Sequence, residues 1–257
     1  MRLSKSQKIA NELLSSLGWK KPGDLSLEEI VWSLGAYLKY STMNKCEGRI
    51  LMNKNNAIIT INSRIKYQPK LNFTIAHEIG HLVMHRDISY LFSDTKQTLQ
   101  QWLARGTHEI EANEFASELL MPSQLFKGKI KEKKLDLTLI KDTATYFGTS
   151  QTATFLKYKD IGDYAISIIY LENSKVVWKQ ESDDFPLKFI SKGFRAPKQS
   201  NCSDFFKGLP IEEEPVLIDA LEWFPEDFEI ENYLDLELYE QCYKVSDNSI
   251  LCCLWTK

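Results

Sequence analysis

A chain of 257 residues with 43% hydrophobic and 12% aromatic content can bury one large core or two small ones, which excludes a disordered or collagen-like protein. Its 32 Lys+Arg against 35 Asp+Glu leave a formal net charge of -3, so composition alone announces neither a nucleic-acid binder nor a polybasic membrane protein. No run approaches the roughly 18 apolar residues a membrane helix needs, and the opening MRLSKSQKIANELL is amphipathic where a signal peptide would be unbrokenly apolar. The expectation is a soluble, unexported, cytoplasmic protein with no membrane partner. The five cysteines, Cys46, Cys202, Cys242, Cys252 and Cys253, are scattered and contain no CxxC pair, which suits reduced thiols in that compartment.

In chain order, Ile9, Leu13, Leu14 and Leu17 share one stripe of a helix over Lys5 to Leu17. Ser26 followed by Glu29 is a capping box that opens a second helix. AYLKY, GRILM and AIITIN then read as strands, the last two joined across Asn53 to Asn56, and together they predict a small antiparallel sheet. Helical periodicity returns from Asn72 to His85, and again from about Thr107 to Met121, before Pro122. Lys127 to Lys134 is a basic connector, and LTLIKDTATYFGTSQTATFLKY beyond it predicts helix, tight turn at Gly148, helix. From Tyr164 the period becomes two: YAISIIYLE and KVVWKQ flank the turn Asn173-Ser174, and VLIDALEWF, YLDLELY and SILCCLW follow as further strands. The fold class is therefore α+β, with three modules expected over 1–126, 127–161 and 162–257.

The chain has only four histidines, and three residues of TIAHEIGHLVMH, namely His77, Glu78 and His81, spell HExxH in a helical pattern. Residues i and i+4 share a helix face, so both imidazoles can converge on one zinc ion while Glu78, one step around, reaches the water that zinc activates. A catalytic site needs a third protein ligand. In HEIEANEFASELLMP, Glu111, Glu114 and Glu118 recur at i, i+3 and i+7 and suggest a solvated stripe, whereas Glu109 shares its stripe with Ala112, Asn113, Ala116 and Leu120. Glu109 is thus the expected third ligand. Ala112 and Ala116 would let this helix approach the HExxH helix closely, and Asn113 could hydrogen-bond a ligand imidazole from behind. His85 lies about 12 Å along the helix from His77, too far to share one ion easily, and is expected to support the ligands or the fold instead. The metzincin spacing, which requires a later histidine after a glycine, is absent. His108 fits an exposed helix start and receives no role. Tyr90 and Tyr146 could donate to an oxyanion, but a tyrosine in such a place is more often an amphipathic packing residue, and that role is left open.

NFTIAHEIGHLVMH followed by EIEANEFASELLMP resembles the ImmA/IrrE family of bacterial metallopeptidases, whose pattern is close to RFTxAHExGHxxxH and then ExxxNxFAxxLLMP. The resemblance covers about the first half of the chain well and the rest more weakly. It implies a zincin-like domain with zinc ligands at His77, His81 and Glu109 and a general base at Glu78, the same set the helical geometry selects. It also implies a cytoplasmic zinc endopeptidase that cleaves an Xre-like helix-turn-helix repressor, often encoded beside it in prophages, mobile elements or stress regulons. Asn72 stands where the family usually has Arg, and Lys157 and Tyr158 replace the usual Arg-Leu of the second helical segment.

Two other functions compete. A helix-turn-helix over 142–159 could place Gln151, Thr152, Thr154 and Lys157 in a major groove, although that helix offers no Arg and the net charge is negative. Alternatively, the chain could sequester a repressor or toxin without cutting it. The acidic series from Glu212 to Glu240, with Trp223, Phe224, Phe228, Tyr233 and Tyr239, would suit a basic protein partner, and a sensor role for the β-rich end is also conceivable.

Overall fold

In the computed structural model, residues 3–53, 56–86 and 106–256 are described together with the backbone of 91–93. The chain divides into two compact units: 1–126 with 144–150, and 127–143 with 151–257. Among the described residues no helix is long and apolar enough to cross a membrane.

In the first unit, α1 (Lys5–Ser16) and α2 (Leu27–Ser33) each open on a capping box, Ser4 with Gln7 and Ser26 with Glu29. Three strands follow, β1 (Ala36–Ser41), β2 (Gly48–Met52) and β3 (Ala57–Asn62), then α3 (Gln68–Met84), β4 (Leu91–Ser93) and α4 (Thr107–Leu120). The sheet order is β1-β3-β2-β4. β2 and β3 form the expected hairpin, closed by the Asn53 N–H on the Asn56 carbonyl. β1, however, pairs with β3 in parallel, Ala36 opposite Ala57 through Ser41 opposite Asn62, so the sheet is mixed and not antiparallel as expected. The cause lies in residues 42–47, which carry the chain past β3 so that β2 enters on its far side. Asn62 organises that crossing: its Nδ2 donates to the carbonyls of Met43 and Cys46, at 2.9 and 2.8 Å, and its Oδ1 accepts from the Met43 N–H. A period-two pattern gives strands but not the partner each selects.

α3 starts at Gln68, four residues before the expected Asn72, because Pro69 supplies the fixed φ that suits a first turn. Its residues Thr74 to Leu82 are all buried, nine in succession. A helix buried all round must be covered on more than one side, and here the core includes Ile50, Ile59 and Ile61 of the sheet together with Phe115, Ala116 and Leu119 of α4.

The stripe on α4 that was expected to be solvated is used for binding within the unit. Glu114 accepts from Ser4 Oγ at 2.8 Å. Glu118, 0% exposed, accepts from Asn11 Nδ2 of α1 and from both the N–H and the hydroxyl of Ser123. It thereby joins α1 to the start of α5 (Ser123–Ile130), a helix that absorbs the first half of the supposed connector. α6 (Leu137–Phe147), Gly148 at φ +64° and α7 (Gln151–Ile161) follow as the sequence indicates. Asn72, the departure from the family pattern, donates to the Gly148 carbonyl at 2.9 Å and is itself held by Gln68.

The second unit contains an antiparallel sheet of order β6-β5-β9-β8-β7, built from β5 (Ile166–Glu172), β6 (Lys175–Glu181), β7 (Val216–Asp219), β8 (Glu237–Ser246) and β9 (Ser249–Thr256). Asn173 and Ser174, at φ 50° and 64°, make the tight β5–β6 turn. The expected strand VLIDALEWF ends at Asp219 and gives way to a helical turn, α9 (Ala220–Trp223), after the short α8 (Asn201–Phe206). Trp223 and Phe224 are both 0% exposed, and an alternating strand cannot bury two adjacent side chains on one face. YLDLELY likewise becomes strand only from Glu237, after a 3-10 turn at Ile230–Tyr233.

Replacing Glu118 with alanine should leave the Ser123 N–H and Asn11 amide in a dry site and cost about 3 kcal/mol. Urea unfolding should show a lower midpoint at an unchanged slope.

Candidate metal centre

α3 and α4 approach closely because small residues face one another. Ala112 and Ala116 are 0% exposed, and a Cβ on Gly80 would lie 3.2 Å from the Ala112 Cα and the Phe115 ring. Gly80, inside the HEIGH segment, is therefore as much a part of this contact as the two alanines, a role its place in the motif did not reveal.

The close contact brings Glu109 to the two histidines. His77 Nε2 and His81 Nε2 lie 3.0 Å apart, and the Glu109 carboxylate oxygens lie 3.4 Å from His77 Nε2 and 3.5 Å from His81 Nε2. Tetrahedral ligands at zinc distances stand about 3.3 Å apart. Two imidazole nitrogens and a carboxylate oxygen at these separations therefore fit one divalent ion, and His77, His81 and Glu109 could hold a metal.

The outer nitrogens fix the rings. His77 Nδ1 lies 2.9 Å from Asn113 Oδ1, an acceptor, so the ring proton sits on Nδ1 and the Nε2 lone pair faces the centre. His81 Nδ1 lies 2.9 Å from His85 Nδ1, and His85 Nε2 lies 2.9 Å from the Glu111 carboxylate. With Glu111 as final acceptor, His85 donates through Nε2 and accepts at Nδ1 from His81, which again frees the His81 Nε2 lone pair. Burial, reinforced by the neighbouring imidazoles of His77, His85 and His108, pushes the His81 pKa down to about 2, so it is neutral and able to ligate. Burial also lowers the His85 pKa, against the pull of Glu111. The hydrogen bond from His85 is the main cause holding the Glu111 carboxyl below its ordinary range.

Asn113 thus lies behind His77, and His85 behind His81. Glu111 completes the second chain of contacts, a role that its place in the polar stripe of α4 does not signal. His108 stacks edge-on against His85 with ring centroids 4.6 Å apart, and its Nδ1 lies 3.6 Å from Glu111. Glu78 is 0% exposed. A Cβ at Gly48 would collide with its carboxylate and would lie 2.8 Å from Thr74 Cγ2, so the bare backbone at the start of β2 makes room for Glu78. Tyr146 is 37% exposed with its ring against Phe147, while Tyr90 lies outside the described residues.

Residues 33–154, which hold this whole arrangement, match the IrrE N-terminal-like domain of the M78 peptidase family. That match assigns residues 33–154 to the ImmA/IrrE family. No curated protein matches its sequence. Among solved structures, a Mycobacterium tuberculosis transcriptional regulator is similar in fold, with a TM-score of 0.61 at 10% identity over 99% of this chain and 77% of that one.

Replacing Asn113 with alanine removes the acceptor that orients His77 without touching a candidate ligand. Competition with a chromophoric chelator should show metal affinity falling roughly 10- to 100-fold, and the His77 N–H left without its acceptor should lower the urea midpoint by the equivalent of about 1–3 kcal/mol while the protein still folds.

Proposed function

We propose that this protein is a zinc-dependent endopeptidase that cleaves a helix-turn-helix transcriptional repressor, with His77, His81 and Glu109 as metal ligands and Glu78 as general base. The observation that carries the reading is the convergence of one carboxylate from α4 and two imidazoles from α3 within 3.5 Å, in the arrangement that leaves both ring lone pairs facing inward. Three protein ligands leave a fourth position open, as catalytic zinc sites do and structural ones do not. When bound, the ion would act as a Lewis acid on the scissile carbonyl and lower the pKa of the attacking water.

The chain's own residues supply the remaining work. Glu78 accepts the proton of that water and returns it to the leaving amine. Asn113, and the pair His85 and Glu111, hold the imidazoles in the ligating tautomer. Gly48 keeps the base in place by leaving its carboxylate space. A repressor as substrate rests on the family, and a regulatory role agrees with the structural neighbour being a transcriptional regulator.

A basic, DNA-binding partner also suits the second unit, where Glu212, Glu213, Glu214, Glu226, Glu229, Glu231, Asp235 and Glu237 are exposed, as is Phe228. Not all of the acidic series serves that surface, since Asp227 and Glu240 are buried. Direct DNA reading through α7 is disfavoured: Thr154 and Lys157, two of the four residues that would enter a groove, are 0% and 3% exposed.

Incubation with the repressor encoded beside it, followed by intact mass, should give a discrete cut that chelator abolishes. Glu78→Gln should keep the metal and lose at least about 100-fold in rate. Gly48→Ala, which displaces the base, should lower kcat with metal content unchanged. Cleavage that persists in Glu78→Gln would refute the assignment, and zinc binding without any cut would favour sequestration.

A further inference from the structure

The second unit contains a carboxylate where its core should have none. Glu240 is 0% exposed and lies among Trp223, Phe224, Leu238 and Leu254. Among the described residues no Lys or Arg pairs with it, and an isolated buried carboxylate is expensive. Its neighbours are instead N–H groups and sulfur. Trp223 Nε1 donates to Oε2 at 2.9 Å, the Asn201 backbone N–H also donates to the carboxylate, and Oε1 lies 3.3 Å from Cys242 Sγ.

Strand geometry explains how the sulfurs gather. Glu240 and Cys242 are two apart on β8 and so share a face, and Cys252 is the register partner of Cys242 on β9. Cys202, on α8, places its Sγ 3.2 Å from Cys242 Sγ. One donor atom from each of the four residues lies within 4.8 Å of all the others, and all four side chains are 0% exposed. Cys253, though buried, points to the opposite face by alternation and stays out of the cluster.

We propose that Cys202, Glu240, Cys242 and Cys252 form a second, structural metal site for one zinc-class divalent ion, ligated by three thiolates and a carboxylate. Sulfurs around tetrahedral zinc stand about 3.8 Å apart, which the observed spread brackets. A disulfide would use two of the sulfurs and leave the third and Glu240 unexplained. Four protein donors leave no open position, which marks a structural site, and ligation would tie α8 to the β8–β9 hairpin. Nothing in this proposal depends on the peptidase reading.

The test uses the full chain produced in minimal medium with cobalt in place of zinc, because enclosed donors load as the chain folds. Thiolate ligands give Co2+ an intense near-ultraviolet charge-transfer band that a centre of nitrogen and oxygen ligands cannot produce. The band should be present in the parent protein, persist in Cys253→Ser and in the double variant His77→Ala, His81→Ala, and vanish in the double variant Cys202→Ser, Cys252→Ser. Glu240→Gln preserves the volume of the core and the Trp223 contact, so it should fold, and it should surrender cobalt to a chelator at least about tenfold faster. Folded parent protein without the band overturns the proposal. So does a band that survives loss of Cys202 and Cys252, unchanged cobalt retention in Glu240→Gln, or a Cys202–Cys242 disulfide in protein isolated under reducing conditions.

Discussion

The first unit depends on the burial of α3 on all sides. Nine consecutive residues, Thr74 to Leu82, lie out of water, and three of them are His77, Glu78 and His81. A polar group in that position must find a partner or destabilise the fold. Two consequences follow, one for the helix and one for its neighbours. The ring nitrogens facing away from the centre are met by Asn113 and by the His85–Glu111 pair, and α4 must come close enough to deliver Glu109, which Gly80, Ala112 and Ala116 permit. The same packing that stabilises the unit therefore orients the candidate ligands, which would leave little reorganisation for metal binding.

The two units handle buried charge in different ways. In the first, Glu118 and Glu111 of α4 have partners supplied by nearby polar groups: Glu118 by Ser123 and Asn11, Glu111 by His85. Those contacts also link α1, α3, α4 and the start of α5, so the surroundings of the centre double as the means of holding the helices in register. In the second, Glu240 has only N–H groups and thiols around it. That difference in satisfaction separates a carboxylate explained by the fold from one that calls for a cation.

Much of the centre was legible in the sequence because it is local. HExxH puts His77, Glu78 and His81 within five residues of one helix, and helical phase alone separates Glu109 from Glu111, Glu114 and Glu118. Asn113 and His85 follow from the same phase. What failed was the inference from phase to solvation. The stripe of Glu111, Glu114 and Glu118 looks polar and outward, yet α1, α3 and Ser123 cover it, and no periodicity within α4 encodes that coverage. Gly48 was likewise invisible, since a glycine at the start of a strand signals nothing until the Glu78 carboxylate is found against it.

The sequence by itself determined the elements that depend on neighbours along the chain: the capped helices, the β2–β3 and β5–β6 hairpins, the turn at Gly148, and the spacing of the HExxH residues. Tertiary structure alone decided what depends on residues far apart. It made the first sheet mixed, because Asn62 holds the connection that carries β2 past β3. It turned Ala220–Trp223 into a helical turn, because Trp223 and Phe224 enter the same core, which adjacent residues of a strand cannot do from one face. It gathered Cys202, Glu240, Cys242 and Cys252, whose spacing in the chain resembles no metal motif, because strand pairing and a short helix bring them to one face. Local propensity is set by φ and ψ preferences a few residues long, whereas burial and strand partnership are set by which surfaces the whole chain can cover at once.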